Sequence, residues 1–306
     1  MNYTDKQKPT RQDEVKRSPT RPGEVKRSPT SLGEVQRSPI GVFDSGIGGL
    51  TVVKRLASTL PNESIIYFGD TARVPYGSKS NSTVIEYSIQ NTKFLLQKNI
   101  KALVVACNTA SSIAIPDLKK MFDIPIIGMI EPGSKMALKK SQSNKIGVIG
   151  TRATISNLAY SKEIKKMNNS AQVFEKPCPL FVPLAEEGWI KHKATYEIAE
   201  EYLNELREIG IDTLVLGCTH YPILSEVIQK VIGSNVTLID SGVASSEVIK
   251  SELEKLELLS DSNKPGVQEY YVSDIPAKFK EVAELFLGKE IDHVHKVDLE
   301  VLISER

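Results

Sequence analysis

Short apolar runs rich in β-branched residues recur from residue 40 onward, and the polar segments between them carry apolar residues at helical spacing. The runs predict strands at Ile40–Asp44, Ser64–Gly69, Ala102–Ala106, Ile126–Ile130, Lys145–Gly150, Thr213–Leu216, Val236–Asp240, Tyr270–Ser273 and His293–Val297. The other segments predict helices at Leu50–Leu60, Ser80–Lys98, Thr195–Ile209, Pro222–Ile232 and Ile275–Leu287. This alternation is typical of βαβ units, so we expect an α/β fold with mainly parallel sheets flanked by helices.

The two halves of this pattern resemble each other. The segment around Cys107 aligns with that around Cys218 at an offset of 111 residues, and the strand before Ser45 aligns with the strand before Thr151 at an offset of 106. Each of these two cysteines ends a predicted strand just before a helix, and ligands of open α/β sheets bind beyond the carboxyl ends of the strands. We therefore expect two similar domains with an active-site cleft between them.

Two thiols that face one cleft from opposite sides form a specific chemical arrangement. A helix N-terminus favours the thiolate, and both Cys107 and Cys218 lie where that help is available. A thiolate on one face of a carbon can remove its proton while a thiol on the other face delivers one, which inverts the stereocentre. Cys178 lies between two prolines and is interpreted as a small buried hydrophobic residue.

Residues 1–39 differ from the rest of the chain. They contain nine Lys or Arg and five Asp or Glu, a net charge of +4, whereas the other residues carry a net charge of −3. A ten-residue unit occurs three times, at Thr10–Pro19, Thr20–Pro29 and Thr30–Pro39. Because each unit has a single valine, it cannot bury enough apolar surface to offset its ordering entropy. Residues 1–38 are predicted to form a disordered arm.

The composition of the 306 residues excludes several classes of protein. Hydrophobic residues make up 40% and charged residues 25%, as in an ordinary globular protein, and a net charge of +1 supports neither a nucleic-acid nor a membrane partner. No apolar stretch approaches the ~20 residues of a membrane span, and none follows Met1 as in a secretory signal. Three cysteines are too few for a disulfide framework, so we expect free thiols and a cytoplasmic protein.

Five strings narrow the function further. In chain order they are Phe43–Leu50, Val74–Gly77, Ala106–Ser111, Val182–Trp189 and Gly217–Pro222. Together they closely resemble the glutamate racemases of the aspartate/glutamate racemase family, over roughly residues 40–296. The resemblance implies a racemase that needs neither a cofactor nor a metal and that acts on a small-molecule substrate, glutamate. It also implies assembly as a homodimer. Its product, D-glutamate, is a building block of bacterial peptidoglycan.

The resemblance also implies how the chain is divided. The first α/β domain is expected to comprise residues 39–131 and 241–306, because the last segment returns to it, and the second domain residues 132–240. The repeat arm has no counterpart in the family that we recognise.

The family's functional positions transfer to this chain one by one. Cys107 and Cys218 match the acid/base cysteines, and Asp44 and His220 are candidates to assist them. The substrate-binding positions are matched by Asp44, Ser45, Pro75, Tyr76, Gly77, Asn108, Thr109, Thr219 and His220. Hydroxyls and main-chain N–H groups can hold carboxylates without a full positive charge beside a thiol. Supporting candidates are Glu187, to orient His220, and Thr151 and Thr154, through the half-repeat.

Three alternatives remain open from the sequence. The chain could racemise another substrate, such as aspartate or a hydantoin. It could be a zinc hydrolase, since Cys107, Cys218, His220 and Asp44 are all possible zinc ligands. It could also be a module that binds an amino acid without catalysis. A nucleotide cofactor is disfavoured, because the glycine-rich string after Asp44 matches neither the dinucleotide-binding nor the P-loop pattern.

Overall fold

Two parallel sheets form the framework of the protein, for which a computed structural model describes residues 31–275, 279–291 and 293–298. The strands are β1 (Ile40–Asp44), β2 (Ile65–Gly69), β3 (Ala102–Val105), β4 (Ile126–Ile127), β5 (Lys145–Gly150), β6 (Gln172–Pro177), β7 (Thr213–Gly217), β8 (Thr237–Asp240), β9 (Gln268–Val272) and β10 (His295–Lys296). The helices are α1 (Leu32–Arg37), α2 (Leu50–Thr59), α3 (Asn81–Gln97), α4 (Asn108–Ile113), α5 (Ile115–Met121), α6 (Ile130–Lys140), α7 (Arg152–Ser156), α8 (Ala159–Met167), α9 (Phe181–Glu186), α10 (Lys193–Ile209), α11 (Ser225–Ile232), α12 (Ser241–Lys255) and α13 (Phe279–Leu287).

The two sheets share one strand order. The first runs β10-β9-β2-β1-β3-β4 and the second β6-β5-β7-β8, with all paired strands parallel. The order β2-β1-β3-β4 therefore matches β6-β5-β7-β8, and the sequence alignment of the halves superimposes β1 on β5 and β3 on β7. The predicted fold class, two similar α/β units with parallel sheets flanked by helices, is confirmed.

Two helices carry the chain between the sheets. After β4 the chain enters α6 and builds the second sheet, and after β8 it enters α12 and returns to add β9 and β10 to the first sheet. The two connecting helices pack against each other. The predicted boundaries at residues 131 and 240 fall at the starts of these helices, and as domain limits they stay a prediction.

The burial of the strands explains why most of them could be predicted from the sequence. All residues of β1, β2 and β7 are buried, as expected for parallel strands covered by helices on both faces, so these strands are continuous apolar runs. The edge strand β6 is half-exposed and polar, and no strand was predicted there. Among the described residues, no helix has the length and apolarity needed to cross a membrane.

Several predicted elements have different limits. The strand predicted at Ile126–Ile130 ends at Ile127, because Ile130 already begins α6. Within the predicted segment Ile275–Leu287 the described helix is Phe279–Leu287, and residues 276–278 lie outside the described ranges. The last predicted strand, at His293–Val297, is reduced to β10.

The prediction of a disordered arm is wrong for its last residues. Helix α1 begins with a capping box in which Ser31 and Glu34 cap each other's main chain, and two earlier copies of the repeat have Arg at the Ser31 position. Arg37 pairs with Asp261 at 2.9 Å, and the buried Lys101 donates to the Gln36 carbonyl at 2.6 Å. The third copy of the repeat is therefore held in place by contacts with residues that lie outside the repeat. Residues 1–30 lie outside the described ranges.

Candidate active site

Two cysteines occupy equivalent strand ends. Cys107 follows β3 and is the N-cap of α4, where the Ala110 N–H donates to its sulfur at 3.5 Å. Cys218 follows β7, the matching strand of the second sheet. Both are free thiols, with residue exposures of 5% and 6%. The structure therefore places both predicted cysteines at the carboxyl ends of parallel strands, where α/β folds bind ligands.

The surroundings of Cys107 favour the protonated thiol. Its sulfur donates to Ser45 Oγ at 3.5 Å. Burial raises the pKa of Cys107 to about 12, and the negative charge of Asp44 and that of a Cys218 thiolate act in the same direction. The hydrogen bonds from Ala110 and to Ser45 lower this pKa in part.

Asp44 is completely buried at the end of β1. Its carboxylate accepts from the Gly46 N–H at 3.0 Å and from Thr219 Oγ1, in the second half of the molecule, at 3.5 Å. Burial raises the pKa of Asp44, whereas the charge of His220 and the N–H groups of the following turn oppose that rise. Asp44 thus links the strand end beside Cys107 to the turn that carries Cys218.

A glycine allows this close approach of the halves. A Cβ atom on Gly48 would lie 2.4 Å from Thr219 Oγ1 and 2.5 Å from the His220 ring, nearer than real Cβ contacts allow. Thr51 Oγ1 also donates to the Thr219 carbonyl at 2.9 Å. The turn after β1 therefore packs directly on the turn after β7.

Cys218 has an imidazole partner where Cys107 has a carboxylate nearby. Its sulfur lies 3.8 Å from His220 Nδ1, and His220 Nε2 lies 2.9 Å from Glu186 Oε1. Burial by itself would lower the pKa of His220, but its hydrogen bonds to Cys218 and Glu186 and their charges raise it to about 10. His220 is thereby favoured in its protonated form beside Cys218. The ring also packs edge-on against Phe286 of α13, at 5.4 Å between centroids.

The carboxylate at His220 is one residue away from the position predicted. The sequence interpretation named Glu187, but the hydrogen bond to His220 comes from Glu186. Helix α9 ends at Glu186, and Glu187 is its C-cap, so the two neighbouring side chains leave the backbone in different directions. No feature of the string Glu186-Glu187 distinguishes them before the helix end is known.

Away from the two thiols, three threonine hydroxyls from both halves of the molecule lie within hydrogen-bond distance of one another. Thr109 Oγ1 lies 2.9 Å from Thr151 Oγ1 and 3.2 Å from Thr154 Oγ1, and the last two are 3.0 Å apart. Their neighbour Asn108 accepts from Tyr160 OH at 2.7 Å through Oδ1. Three uncharged hydroxyls that satisfy one another in this way can turn toward a carboxylate of a ligand.

The loop with the predicted residues Pro75, Tyr76 and Gly77 also faces the second half. A Cβ atom on Gly77 would lie 3.1 Å from Thr151 Cβ, so the loop and the start of α7 are in close contact. The Tyr76 hydroxyl is instead bound to Asp70 and Asn91. The loop therefore meets the second half at Gly77 while the Tyr76 hydroxyl is held within the first.

Sequence reasoning missed four residues near these groups, namely Glu186, Tyr160, Asp70 and Asn91. Asp70 had a signal, because it directly follows β2, the neighbour of β1, at the ligand-binding edge of the sheet. The others lie inside helices or at a helix end, and nothing local marks them. Among the described residues, no group of three or more His, Cys, Asp or Glu side chains could hold a metal ion.

Comparison with known proteins identifies the family. Residues 40–248 match the family model described as Asp/Glu/Hydantoin racemase. The chain belongs to this family. The predicted family resemblance and enzyme class, a racemase among the isomerases, are thereby confirmed. This racemase is 50% identical over 261 residues to the glutamate racemase of Geobacter metallireducens, covering 85% of this chain and 97% of that protein. It is 49% identical to the glutamate racemase of Chlorobaculum tepidum, with 85% and 96% covered.

Solved structures agree with the fold of this racemase. Glutamate racemase from Francisella tularensis, crystallised with D-glutamate, superimposes with a TM-score of 0.82 at 44% identity, covering 87% of this chain and 99% of that one. An isoform from Bacillus anthracis gives a TM-score of 0.83 at 37% identity, covering 86% and 98%. Nearly the whole length of each relative is therefore represented here.

Proposed function

We propose that this racemase interconverts L- and D-glutamate, with Cys107 and Cys218 as the acid/base pair. The observation that carries the proposal is the position of these two thiols at equivalent strand ends of the two sheets, each with its own polar partner. Relatives at 49–50% identity are named glutamate racemases, and one at 44% identity was crystallised with D-glutamate. Racemisation of aspartate is the second candidate, because the family model spans both substrates.

The reaction needs only two proton transfers. A thiolate on one face of the substrate takes the α-proton, so that the Cα–H bond breaks and an S–H bond forms. The thiol on the other face then gives its proton to Cα, and its sulfur is left as a thiolate. The reverse reaction exchanges the roles of Cys107 and Cys218. The acting pair holds one proton on two sulfurs, whereas free thiols of pKa ~8.5 are mostly protonated at neutral pH, so one thiol must lose its proton before the reaction starts.

The neighbours of the thiols have distinct tasks in this proposal. A protonated His220, held by Glu186, stabilises a thiolate at Cys218 or gives it a proton. Asp44 accepts the substrate ammonium or assists Cys107. The hydroxyls of Ser45, Thr109 and Thr219, with Asn108 and the main chain of Pro75–Gly77, hold the two carboxylates. Hydrogen bonds to the α-carboxylate strengthen as charge moves onto it during proton removal.

The proposal extends to the role in the cell. D-glutamate would enter peptidoglycan, so loss of the protein would alter cell shape and wall synthesis. Three free cysteines suit the reducing cytoplasm, and a homodimer is the expected assembly. The residue roles require no cofactor, since both the acid and the base are side chains of this chain.

A single incubation tests the proposal. Purified protein is mixed with L-glutamate in deuterated buffer without added cofactor, and optical rotation and α-deuterium are followed together. We expect optical activity to disappear and deuterium to appear in D-glutamate. Loss of optical activity with aspartate but not with glutamate would support the same mechanism and identify aspartate as the substrate. No exchange with any amino acid would contradict the proposed activity and favour a module that only binds its ligand.

A further inference from the structure

A buried polar cluster lies behind the loop Pro75–Gly77 and takes no part in the proposed proton transfers. At its centre is Asp70, completely buried just after β2. Its Oδ2 accepts from Arg73 Nε at 2.7 Å and from the Tyr76 hydroxyl. Its Oδ1 accepts from Ser273 Oγ at 2.9 Å, at the end of β9. One carboxylate therefore accepts hydrogen bonds from three donors, two in the loop that follows it and one at the end of β9.

Asn91 of α3 closes this cluster into a ring. Its amide nitrogen donates to the Tyr76 hydroxyl oxygen at 3.0 Å, and its Oδ1 accepts from Arg73 Nη2 at 3.0 Å. The Arg73 guanidinium also lies over the Tyr87 ring, 4.0 Å from its centroid. The ring Asp70–Arg73–Asn91–Tyr76 thus pairs one negative with one positive charge and gives each side chain at least two partners. Such a fully connected buried network holds its members in one arrangement.

The ring determines what Tyr76 can do. Its hydroxyl donates to Asp70 and accepts from Asn91, so its only proton is not available to a carboxylate ligand unless the hydrogen bond to Asp70 breaks. Burial, reinforced by the Asp70 charge, raises the pKa of Tyr76 well above its ordinary value, so the phenol keeps its proton. The part of this loop that reaches the second half is the main chain at Gly77, next to Thr151.

The same aspartate is attached to the strand end at Asp44. The Asp70 N–H donates to the Asp44 carbonyl at 3.0 Å. Asp70 therefore joins the ends of β1, β2 and β9 to the loop that follows it. A shift of its side chain would move Tyr76 and Gly77 relative to Asp44 and the turn beside Cys107.

We propose that Asp70, together with Arg73 and Asn91, is a positioning residue that holds the loop Pro75–Gly77 so that its main chain, and not the Tyr76 phenol, binds a carboxylate of the substrate. This inference rests on the proposed racemase function for the identity of the ligand. The geometry of the ring is independent of it. Asp70 is not a catalytic residue in this proposal, because it acts through Tyr76 and the loop.

The first test is the kinetics of Asp70→Asn and Tyr76→Phe. Both changes remove hydrogen bonds of the ring while keeping side-chain shape. We expect KM for each glutamate enantiomer to rise at least about tenfold, the effect of losing a charge-assisted buried hydrogen bond, with kcat within a few-fold of wild type. A large fall in kcat at unchanged KM for Tyr76→Phe would assign the phenol a direct part in catalysis and overturn the proposal.

Asp212→Asn is the matched control. Asp212 also accepts several hydrogen bonds, from Ser141 Oγ at 2.7 Å and from the N–H groups of Gln142 and Ser143, but it precedes β7 at the opposite end of the strands. It should lower thermal stability without changing KM. If Asp70→Asn and Asp212→Asn both lower the melting temperature and both leave KM unchanged, the ring is only structural and the positioning role is wrong.

Amide hydrogen exchange without substrate separates this proposal from the proposed function. In Asp70→Asn we expect faster exchange confined to residues 74–79, and in Asp212→Asn no change there. Faster exchange in a protein that racemises no amino acid would keep the positioning role and reject the racemase. Unchanged exchange in a folded Asp70→Asn variant would overturn the positioning role even if the racemase activity is confirmed.

Discussion

The two cysteines lie on matching scaffolds but have different neighbours. Cys107 follows β3 and Cys218 follows the equivalent strand β7. The carboxylate of Asp44 is close to Cys107, whereas the imidazole of His220 is close to Cys218. The alignment of the halves sharpens this contrast. The counterpart of Asp44 is Gly150, at an offset of 106, and the counterpart of His220 is Thr109, at an offset of 111. Each half has one ionisable neighbour at a position where the other half has none.

The backbone of the site and its chemistry therefore have separate origins. The repeated βαβ framework brings both thiols to strand ends, which is a property of topology. Their ionisable neighbours come from non-equivalent positions, and Glu186, which contacts His220, comes from a helix outside the repeat comparison. In the proposed mechanism, the substrate would therefore meet a thiol beside a carboxylate on one face and a thiol beside an imidazole on the other.

The largest expected effect comes from removing either sulfur. Cys107→Ser and Cys218→Ser should each lower turnover by at least about 10³-fold, since acid/base groups contribute about 10²–10⁴ and a hydroxyl is a far weaker acid than a thiol. Circular dichroism should show an unchanged fold. Cys178→Ser is the control, because its sulfur lies 3.6 Å from the Lys176 carbonyl, to which a hydroxyl can also donate. Near-normal turnover in either of the first two variants would contradict the two-thiol mechanism.

The second largest effect is expected from replacing the ionisable neighbours of the two cysteines, and it distinguishes Cys107 from Cys218. His220→Gln and Asp44→Asn should each lower kcat about 100-fold, near the lower end of acid/base contributions. Because each acts on a different thiol, the primary isotope effect with 2-deuterated glutamate should increase mainly for one enantiomer in His220→Gln and mainly for the other in Asp44→Asn. Competitive assays with both enantiomers measure this. A larger isotope effect for the same enantiomer in both variants would contradict the proposal that Asp44 acts on Cys107 and His220 on Cys218.

A smaller effect concerns the pH profile. Glu186→Gln should lower the pKa of His220 from about 10, because the carboxylate hydrogen bond and charge help to keep the imidazole protonated. Activity that needs protonated His220 is present below this pKa and is lost above it, so the alkaline decline should begin at lower pH. Glu187→Gln is the control and should leave the decline in place. Equal shifts in both variants would show that the nearby negative charge, and not the hydrogen bond, is responsible.

The smallest expected effect is on the reactivity of Cys107 alone. Burial is the main cause that raises its pKa to about 12, and the Asp44 charge adds to it. In a Cys178→Ser/Cys218→Ser background, Asp44→Asn should therefore increase the thiolate fraction at a given pH and speed alkylation by iodoacetamide a few-fold. Mass spectrometry of the labelled peptide gives the rate. Slower alkylation would mean that Asp44 activates the thiol through contact.

The sequence was informative where one local pattern has one structural meaning. Buried parallel strands are continuous apolar runs, so β1, β3, β5 and β7 could be predicted within about a residue, and a cysteine at the end of such a run is placed by topology. It was less informative for the polar edge strand β6 and for the short helices near the cleft. Helix α1 was missed because its order comes from Lys101 and Asp261, which are distant in the chain.

The local pattern alone was therefore enough to predict the fold class, the similarity of the two halves and the position of Cys107 and Cys218 at strand ends, because hydrophobic periodicity and strand-end position are local properties. Which carboxylate contacts His220 became clear only from the folded chain, since it depends on where α9 ends. Only the tertiary structure also showed that the Tyr76 hydroxyl is held by Asp70 and Asn91, because a buried hydrogen-bond ring joins residues that no sequence spacing relates. Side-chain partnerships across segments depend on packing, and packing depends on the whole chain.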